Sequence, residues 1–552
     1  MREATNRAES LDQVRGASVS PAEFNLDQLY TLGYTTYAGK PIIGLDGVVD
    51  HIDSGANLAV AADGVITYAF ADFQHALGLN NNPSFGEGPG YAPFTAEQRT
   101  AARTAISYWD DLIPQTFQEV KPGPGASSWA KNDVDIWLQN STTGPLQAWA
   151  YYPGYEHQYK RVSSDVWTAD PAWNWSNNWF SMLGYGNTTL VHELGHTLGL
   201  SHPGAYNFDP NVTQDYAGLA EYAQDSTQYS IMSYWDPIET GARIINWTGL
   251  LYGYAQTPML HDIYTIQQKY GADTQTRADN TVYGFGSNAG QDIYDFAKNP
   301  YPFLTVYDAG GNDTINLSGF TISQFVDLHA GSFSSIGAGL PSASSANAYL
   351  ANLSQISGED WGTYDAALWT NVMTNFRVAN EASIGNDLML TGHVDVDGIY
   401  ASEYQNFSIA YGVTIENATG GSARDLLWGN QVANTLRGMG GSDVLNGFEG
   451  ADTLYGGAGN DTFMFSQVEK GDRIMDWNAG DKIDLREMDA NSTLAGTQHF
   501  TFINGGGAFT GVAGQLHYVG GVLEGDVNGD GLADFTVALL GSPTIGASDL
   551  IL

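Results

Sequence analysis

The chain has 552 residues, too many for one ordinary core, so at least two domains are expected. Its 61 acidic and 21 basic residues leave a net charge of −40, which argues against nucleic acid as a partner. Only 15% of residues are charged and 12% are aromatic, so this is a folding chain rather than a disordered acidic one, with carboxylates suited to binding cations.

The chain holds no cysteine, so no disulfide staples the fold. No apolar run is long enough to cross a membrane. The opening stretch, Met1 to Arg7, lacks the apolar core of a signal peptide, which by itself predicts a cytoplasmic protein. Residues 1–22 stay polar and Ala/Ser-rich and read as a flexible tail.

Residues 23–270 read as mixed α and β. Thr95-Ala96-Glu97-Gln98 is a capping box that opens a helix. Behind it Ala102, Ala105, Ile106, Trp109 and Ile113 recur at helical spacing, and Pro114 closes the run. Asp133 to Leu138 alternates, which predicts a half-buried strand. Next comes Val191-His192-Glu193-Leu194-Gly195-His196-Thr197-Leu198-Gly199-Leu200-Ser201-His202, the pattern H-E-x-x-H-x-x-G-x-x-H. On a helix His192 and His196 share a face and can bind one metal ion. Gly199 permits the turn that returns His202 as a third imidazole. Three neutral nitrogens leave an open position on zinc, the arrangement of a catalytic site. Glu193 stands beside the first ligand, where it can reach a water on the metal. A bare H-E-x-x-H occurs by chance on helix surfaces. Here Tyr229-Ser230-Ile231-Met232-Ser233-Tyr234-Trp235 follows, with Met232 as an apolar floor and Tyr234 in reach of the metal. The string and the Met-turn together are the metzincin signature.

His202-Pro203-Gly204 and the Ser230 to Trp235 form of the Met-turn resemble the serralysin family of secreted zinc proteases. The resemblance runs, with gaps, from residue 65 to the C-terminus and includes Asp262 to Gly271, a helix with a glycine stop. It implies an α+β metzincin domain over residues 23–270, preceded by a propeptide in residues 1–22. It implies His192, His196 and His202 as ligands of one catalytic zinc, Tyr234 as a further ligand that swings off to stabilise the transition state, and Glu193 as general base. In metzincins an open strand edge pairs with the extended substrate. The Asp133–Leu138 strand and the segment Ala148-Trp149-Ala150-Tyr151 are both candidates for it. The resemblance also reverses the cytoplasmic expectation. Serralysins leave bacteria through a type I exporter that reads the C-terminus, and Asp549-Leu550-Ile551-Leu552 look like that ending.

From Gly420 the chain steps in nines: Asp425, Asn434, Asp443, Asp452 and Asp461 share one register, with Leu427, Leu436, Leu445, Leu454 and Phe463 two residues later. This is the G-G-x-G-x-D-x-U-x repeat of calcium-binding parallel β-rolls, and residues 271–552 are expected to be an all-β roll and sandwich. Successive turns lie on opposite sides, so Asp425, Asp443 and Asp461 share one side and Asn434 and Asp452 the other. The Asn434 side should be weaker, since calcium prefers charged oxygens. As in serralysins, calcium ligands would come from Gly421, Ala423, Asp425, Asn430, Val432, Asn434, Gly438, Gly440, Gly441, Asp443, Gly447, Gly450, Asp452, Gly456, Gly457, Gly459 and Asp461. Arg277, Asp279 and Thr281 would face Asp308, Gly310, Gly311 and Asp313, with Thr414 and Glu416 closing a further site. Asp472 and Asp481 follow the roll at matching positions. Asp526 to Asp534 resembles the start of an EF-hand loop but has Val537 where the closing Glu belongs.

Residues 339–406 depart from the serralysin pattern as an insertion too long for an ordinary loop. Tyr364, Leu368, Val372 and Phe376 make a helical stripe within it that reads as packing. The predicted function is a secreted, calcium-stabilised zinc endopeptidase acting on protein or peptide substrates, using one zinc and several calcium ions. A dedicated processing protease docked to the cell surface, with the insertion as a site for a surface partner or inhibitor, stays open. So does a calcium-dependent adhesion protein that carries a protease-like domain, although a domain without activity need not keep Glu193.

Overall fold

A computed structural model describes residues 25–59, 62–71, 86–121, 134–154, 163–207, 213–245, 253–385, 400–503 and 507–552. The expected tail, residues 1–22, lies outside these, as does Asp133. In the first half, strands β1 (Val65–Phe70), β2 (Thr116–Glu119), β3 (Ile136–Ser141), β4 (Ala148–Ala150) and β5 (Asp165–Ala169) form one sheet in the order β2-β1-β3-β5-β4. All these neighbours are parallel except β4, which runs antiparallel to β5 at the edge. The half-buried strand expected before Leu138 is instead a central strand, and all six residues of β3 are buried. A central strand between two parallel partners is covered on both faces. Ile136 and Leu138 join the main core, while Trp137 packs with Val134, Ala69 and Ala71 on the opposite face. Among the described residues β4 is an edge strand, with β2 at the opposite edge, and of the two candidate substrate-pairing segments it is Ala148 to Ala150 that has no described strand on its outer side.

Among the helices described in this half are α1 (Leu26–Thr31), α2 (Leu45–Ile52), α3 (Ala96–Asp110), α4 (Tyr185–Thr197) and α5 (Leu260–Tyr270). The capping box of α3 forms as its sequence dictates: Gln98 N–H donates to Thr95 Oγ1 at 3.1 Å, and Thr95 N–H donates to Gln98 Oε1 at 2.9 Å. α3 ends at Asp110, before Pro114, and its buried face of Ala102, Ala105, Ile106 and Trp109 packs on α4. Trp109 Nε1 donates to Val191 O at 3.0 Å and fixes the two helices. α5 stops at Gly271, whose φ of 87° suits glycine. α1 joins the halves, because Asp27 accepts from His261 Nε2 of α5 at 2.8 Å and from Tyr411 Oη of the second half at 2.6 Å.

The second half winds through two parallel sheets. Ala418, Leu436 and Leu454 lie side by side in one, and Leu427, Leu445 and Phe463 in the other. The nine-residue period thus places every second repeat beside its like, with the apolar residue pointing inward. Leu427, Leu436, Leu445, Leu454 and Phe463 are all fully buried. Turns between strands pass close together, and a Cβ on Gly459 would lie 1.4 Å from Gly441 O, so only glycine fits there. The first sheet continues through Lys470–Ile474 and Phe535–Leu539 into antiparallel strands Val522–Asp526 and Gln515–Val519. Asp526 to Asp534 links two of these strands and closes on itself: Asp526 accepts from Gly529 N–H and Gly531 N–H.

This half is not purely β. The stretch expected to be an insertion carries helices α6 (Ala343–Ser357) and α7 (Ala366–Gly385), while residues 386–399 lie outside the described segments. The predicted stripe packs inward at Tyr364, Val372 and Phe376 and fails at Leu368. Leu368 is 55% exposed and Trp369 and Met373 are buried instead, with Val372 and Phe376 flanking them. The indole of Trp369 donates to Pro341 O, which draws that side of the helix inward.

Because Leu445 fills the centre of the wound core, Leu445→Ala is expected to destabilise the second half by about 2–5 kcal/mol. Chemical denaturation followed by circular dichroism at fixed calcium measures this.

Candidate metal centre and cleft

α4 presents His192 and His196 on one face, and the chain leaves it at Gly199, where φ is 91° and a Cβ would lie 2.1 Å from Ala56 O. The turn returns His202. Each ring uses Nδ1 on a backbone carbonyl: His192 on Ile231 O at 2.8 Å, His196 on Leu200 O at 2.7 Å and His202 on Tyr206 O at 2.9 Å. A carbonyl can only accept, so each Nδ1 carries the proton and each Nε2 is bare. His202 Nε2 lies 3.3 Å from His192 Nε2 and 3.2 Å from His196 Nε2. Three lone pairs converging at this range repel unless a cation sits among them. Zinc with Zn–N bonds of about 2.0–2.1 Å in tetrahedral geometry needs nitrogens about 3.3 Å apart, so the residues present fit the ion. Burial holds the imidazoles neutral, with His192 lowered to about 4 and His202 to about 3. His196 falls well below its usual value through burial and the two neighbouring rings.

Glu193 is buried beside the triad, and burial pushes its carboxyl up to about 8. Its Oε2 is enclosed and receives no hydrogen bond. Met232 is fully buried under α4, where a Cβ on Gly195 would lie 2.6 Å from its sulfur. Gly195 thus lets the methionine close up beneath the histidines. The Tyr234 ring is 40% exposed and stands 4.4 Å from that of His202 and 6.0 Å from that of His192. Tyr152, just past β4, meets His196 edge-on at 5.5 Å.

Two carboxylates to which the sequence assigned no role at the centre hold this arrangement. Asp262 accepts from Ser230 Oγ at 2.6 Å, Ile231 N–H at 2.6 Å and Met259 N–H at 2.8 Å. It therefore pins the residue whose carbonyl orients His192. Asp225 accepts from Tyr206 Oη at 2.8 Å, Ser233 Oγ at 2.7 Å and Trp235 Nε1 at 3.0 Å, and Tyr206 orients His202. Both are fully buried. The signal in the sequence was an acid close before the Met-turn and another at the opening of the last helix, neither of which has a fixed spacing that names its role.

The second half gathers the acidic positions into two ladders. On one side Asp425 N–H donates to Asp443 Oδ1 at 2.8 Å, Asp443 N–H to Asp461 Oδ1 at 2.9 Å, and Asp461 N–H to Asp481 Oδ1 at 2.9 Å. On the other, Thr281 N–H donates to Asp313, Asp313 N–H to Glu416, Asn434 N–H to Asp452 and Asp452 N–H to Asp472. The second oxygens of Asp313, Asp443 and Asp461 are buried and accept nothing. Burial, with like-charged neighbours second, raises Asp443 to about 7 and Asp452 to about 8. Asp452, Glu469 and Asp472 bring ligand oxygens within 4.8 Å of one another. Glu469 escaped the sequence reading because the nine-residue step breaks there, at the bulge between Lys470 and Asp472. The Asn434 turn closes without a carboxylate of its own, Asn430 N–H donating to Asn434 Oδ1 at 2.8 Å. Asp308 is partly engaged, accepting from Gly310 N–H and Tyr283 Oη. The Arg277 side chain turns away to Asp111 at 2.6 Å, leaving its carbonyl near Thr281 Oγ1 at 3.4 Å.

A family model described as Peptidase M10 serralysin C terminal matches residues 272–362 and 377–552. Metallopeptidase AprA of Pseudomonas marginalis is 33% identical over 98% of this chain and 98% of its own length. The chain belongs to the serralysin family of zinc metalloendopeptidases. Metalloprotease AprA of Pseudomonas entomophila is 34% identical over 94% of this chain and 92% of its own. A serralysin of Photorhabdus luminescens is 35% identical over 84% of this chain and 80% of its own. Between 272 and 552 the family match omits only residues 363–376 and covers 339–362 and 377–406, so most of the stretch expected to be an insertion lies within the family pattern.

If Asp262 orients His192 through Ile231, Asp262→Ala is expected to weaken zinc binding by about 10–100-fold. Competition with a chromophoric chelator measures the change.

Proposed function

We propose that this chain is a secreted, calcium-stabilised zinc endopeptidase, with residues 23–270 as the protease domain and residues 271–552 as a calcium-binding roll and sandwich. The observation that carries the reading is the set of three bare Nε2 atoms beside the unpartnered Glu193 oxygen. His192, His196 and His202 hold the zinc. A zinc ion there supplies a Lewis acid that makes water nucleophilic at neutral pH and polarises the scissile carbonyl. The substrate lies extended along the open edge of β4 through backbone hydrogen bonds. Glu193 accepts a proton from the attacking water and passes it to the leaving amine as the C–N bond breaks. Tyr234 donates from its phenol to the oxygen that gains charge in the transition state, a role supported by its place beside His202. Family membership supports action outside the cell after passage through a type I exporter.

Glu193→Ala is expected to keep stoichiometric zinc and lose casein hydrolysis by several orders of magnitude. A purified variant cleaving near the wild-type rate overturns the mechanism. Tyr234→Phe is expected to lower kcat about 100-fold with zinc content unchanged, by analogy with loss of one oxyanion donor. Parallel loss of zinc and activity would make Tyr234 chiefly a structural ligand. Wild-type casein cleavage should vanish in a zinc chelator and return on adding zinc.

Calcium would bind the free oxygens of the two ladders, with hard carboxylate ligands from Asp313, Asp443, Asp452, Asp461 and Asp472. The sign of the pH effect follows from their raised values. Without calcium, the folded state keeps protons on Asp443 and Asp452 up to about 7 and about 8 that the unfolded chain has already released. Their contribution is fully present below the ordinary aspartate range of about 4 and is lost as pH rises through 7 to 8. In chelator the melting temperature of the second half should therefore fall from pH 5 to pH 8.5. In millimolar calcium the fall should disappear, because the ion binds only the folded, ionised form. Equal melting curves with and without calcium at pH 8.5 would exclude the calcium role.

A further inference from the structure

We propose that Trp173 and Leu146 form an apolar subsite for a substrate side chain several residues from the scissile bond, and that the stretch carrying α6 and α7 holds this subsite in place. This deepens the endopeptidase reading and rests on it. β4 leads away from the metal centre. One end reaches the metal centre, where Tyr152 meets His196. The other end begins at Leu146 and Gln147. The extended chain from Leu146 to Tyr152 covers on the order of 20 Å. A polypeptide paired along the open edge of β4 and continuing past it must run by Leu146.

That end of the edge is apolar and exposed. Leu146 is 64% exposed and Trp173 is 68% exposed, whereas every other described tryptophan is buried or half-buried. Asn174, next to Trp173, donates from Nδ2 to Leu146 O at 2.8 Å and to Gln147 Oε1 at 2.6 Å, which ties the turn carrying Trp173 to the start of β4. Trp173 N–H donates to Asp170 O at 2.7 Å. Ser176 Oγ and Asn177 Nδ2 also donate to Gln147, at 2.9 Å and 2.8 Å. These bonds fix the backbone that carries Trp173, so less of the turn needs to be ordered when a side chain binds against it.

The stretch carrying α6 and α7 braces the same turn from behind. The Trp361 ring meets Trp175 edge-on at 5.7 Å, and Tyr349 meets Trp179 at 6.2 Å. Trp361 is itself fixed, its Nε1 donating to Ser357 Oγ at 2.8 Å. Tyr349, Ser357 and Trp361 all precede the break in the family match, which spans residues 363–376. The occupant is the substrate polypeptide itself, because the open edge of β4 leads directly to the exposed pair. The chemistry that suits the pair is a leucine or aromatic side chain.

The test uses fluorogenic peptides long enough to pass Leu146, with Leu or Ser placed in turn at each position away from the cleaved bond. For the wild-type holoenzyme, the kcat/KM ratio of Leu over Ser should reach about 10-fold at one remote position on one side only, the range a hydrophobic pocket supplies. Trp173→Ala should bring that ratio near one. Trp361→Ala should reduce it, and Trp361→Phe should restore it by keeping a ring against Trp175. The ratio is read within each variant, so a general loss of folding or zinc lowers both peptides alike and leaves it unmoved. A flat wild-type profile, or a Trp173→Ala variant that keeps the ratio, overturns the subsite. A Trp361→Ala variant with the full ratio overturns the role of that stretch. If the wild type cleaves none of the peptides, with or without added zinc, the endopeptidase reading falls first and the subsite with it.

Discussion

Three protons decide what the centre can bind. His192, His196 and His202 each commit Nδ1 to a carbonyl, and those carbonyls belong to Ile231, Leu200 and Tyr206, on three separate stretches of chain. The backbone, rather than the ion, sets the aim of each ring. This leaves three lone pairs facing one another in a buried space, an arrangement that electrostatics opposes and that packing must hold. Trp109 bonded to Val191 and Met232 pressed on Gly195 supply that packing. Asp262 and Asp225 extend the same control one layer outward, to the Met-turn and Tyr206.

The wound half applies the same rule to the opposite charge. Each stacked aspartate accepts an amide N–H with one oxygen, and in Asp443 and Asp461 the other oxygen is left unpaired inside the protein. In the three histidines and in Asp313, Asp443 and Asp461, hydrogen bonds fix one side of the ligand group and leave the other side bare. The cost differs in sign. Burial depresses the imidazoles of the first half and raises the carboxyls of the second. A cation relieves both, and a protein without cysteine has few other means of tying distant segments together.

The sequence was most legible where a short period carries the chemistry. The histidine spacing placed three rings on one centre, and the nine-residue step placed five apolar residues in one core. Helix boundaries written in capping residues, such as Thr95 and Gln98, were legible too. Long-range pairing was not. Alternation before Leu138 suggested a strand with one wet face, yet β3 lies between β1 and β5, and local pattern carries no record of neighbours. Of the stripe in residues 339–406, Tyr364, Val372 and Phe376 pack as read and Leu368 does not, because Trp369, bonded to Pro341, takes the inward position beside it. Asp225, Asp262 and Glu469 were missed for a shared reason: each acts through contacts that no fixed spacing encodes.

β4 has a further consequence. An unpaired strand edge can recruit any extended chain, including a strand from another copy of the same protein, and long flat edges are sites of aggregation. β4 is only three residues long and Gln147 is tied down at its start by Asn174, Ser176 and Asn177. So brief an edge offers few ladder bonds, enough to align a chain that the centre then cuts and too few to hold a second folded molecule. The same shortness leaves the backbone of a bound chain weakly held, so discrimination between chains passes to side-chain contacts at the ends of the strand.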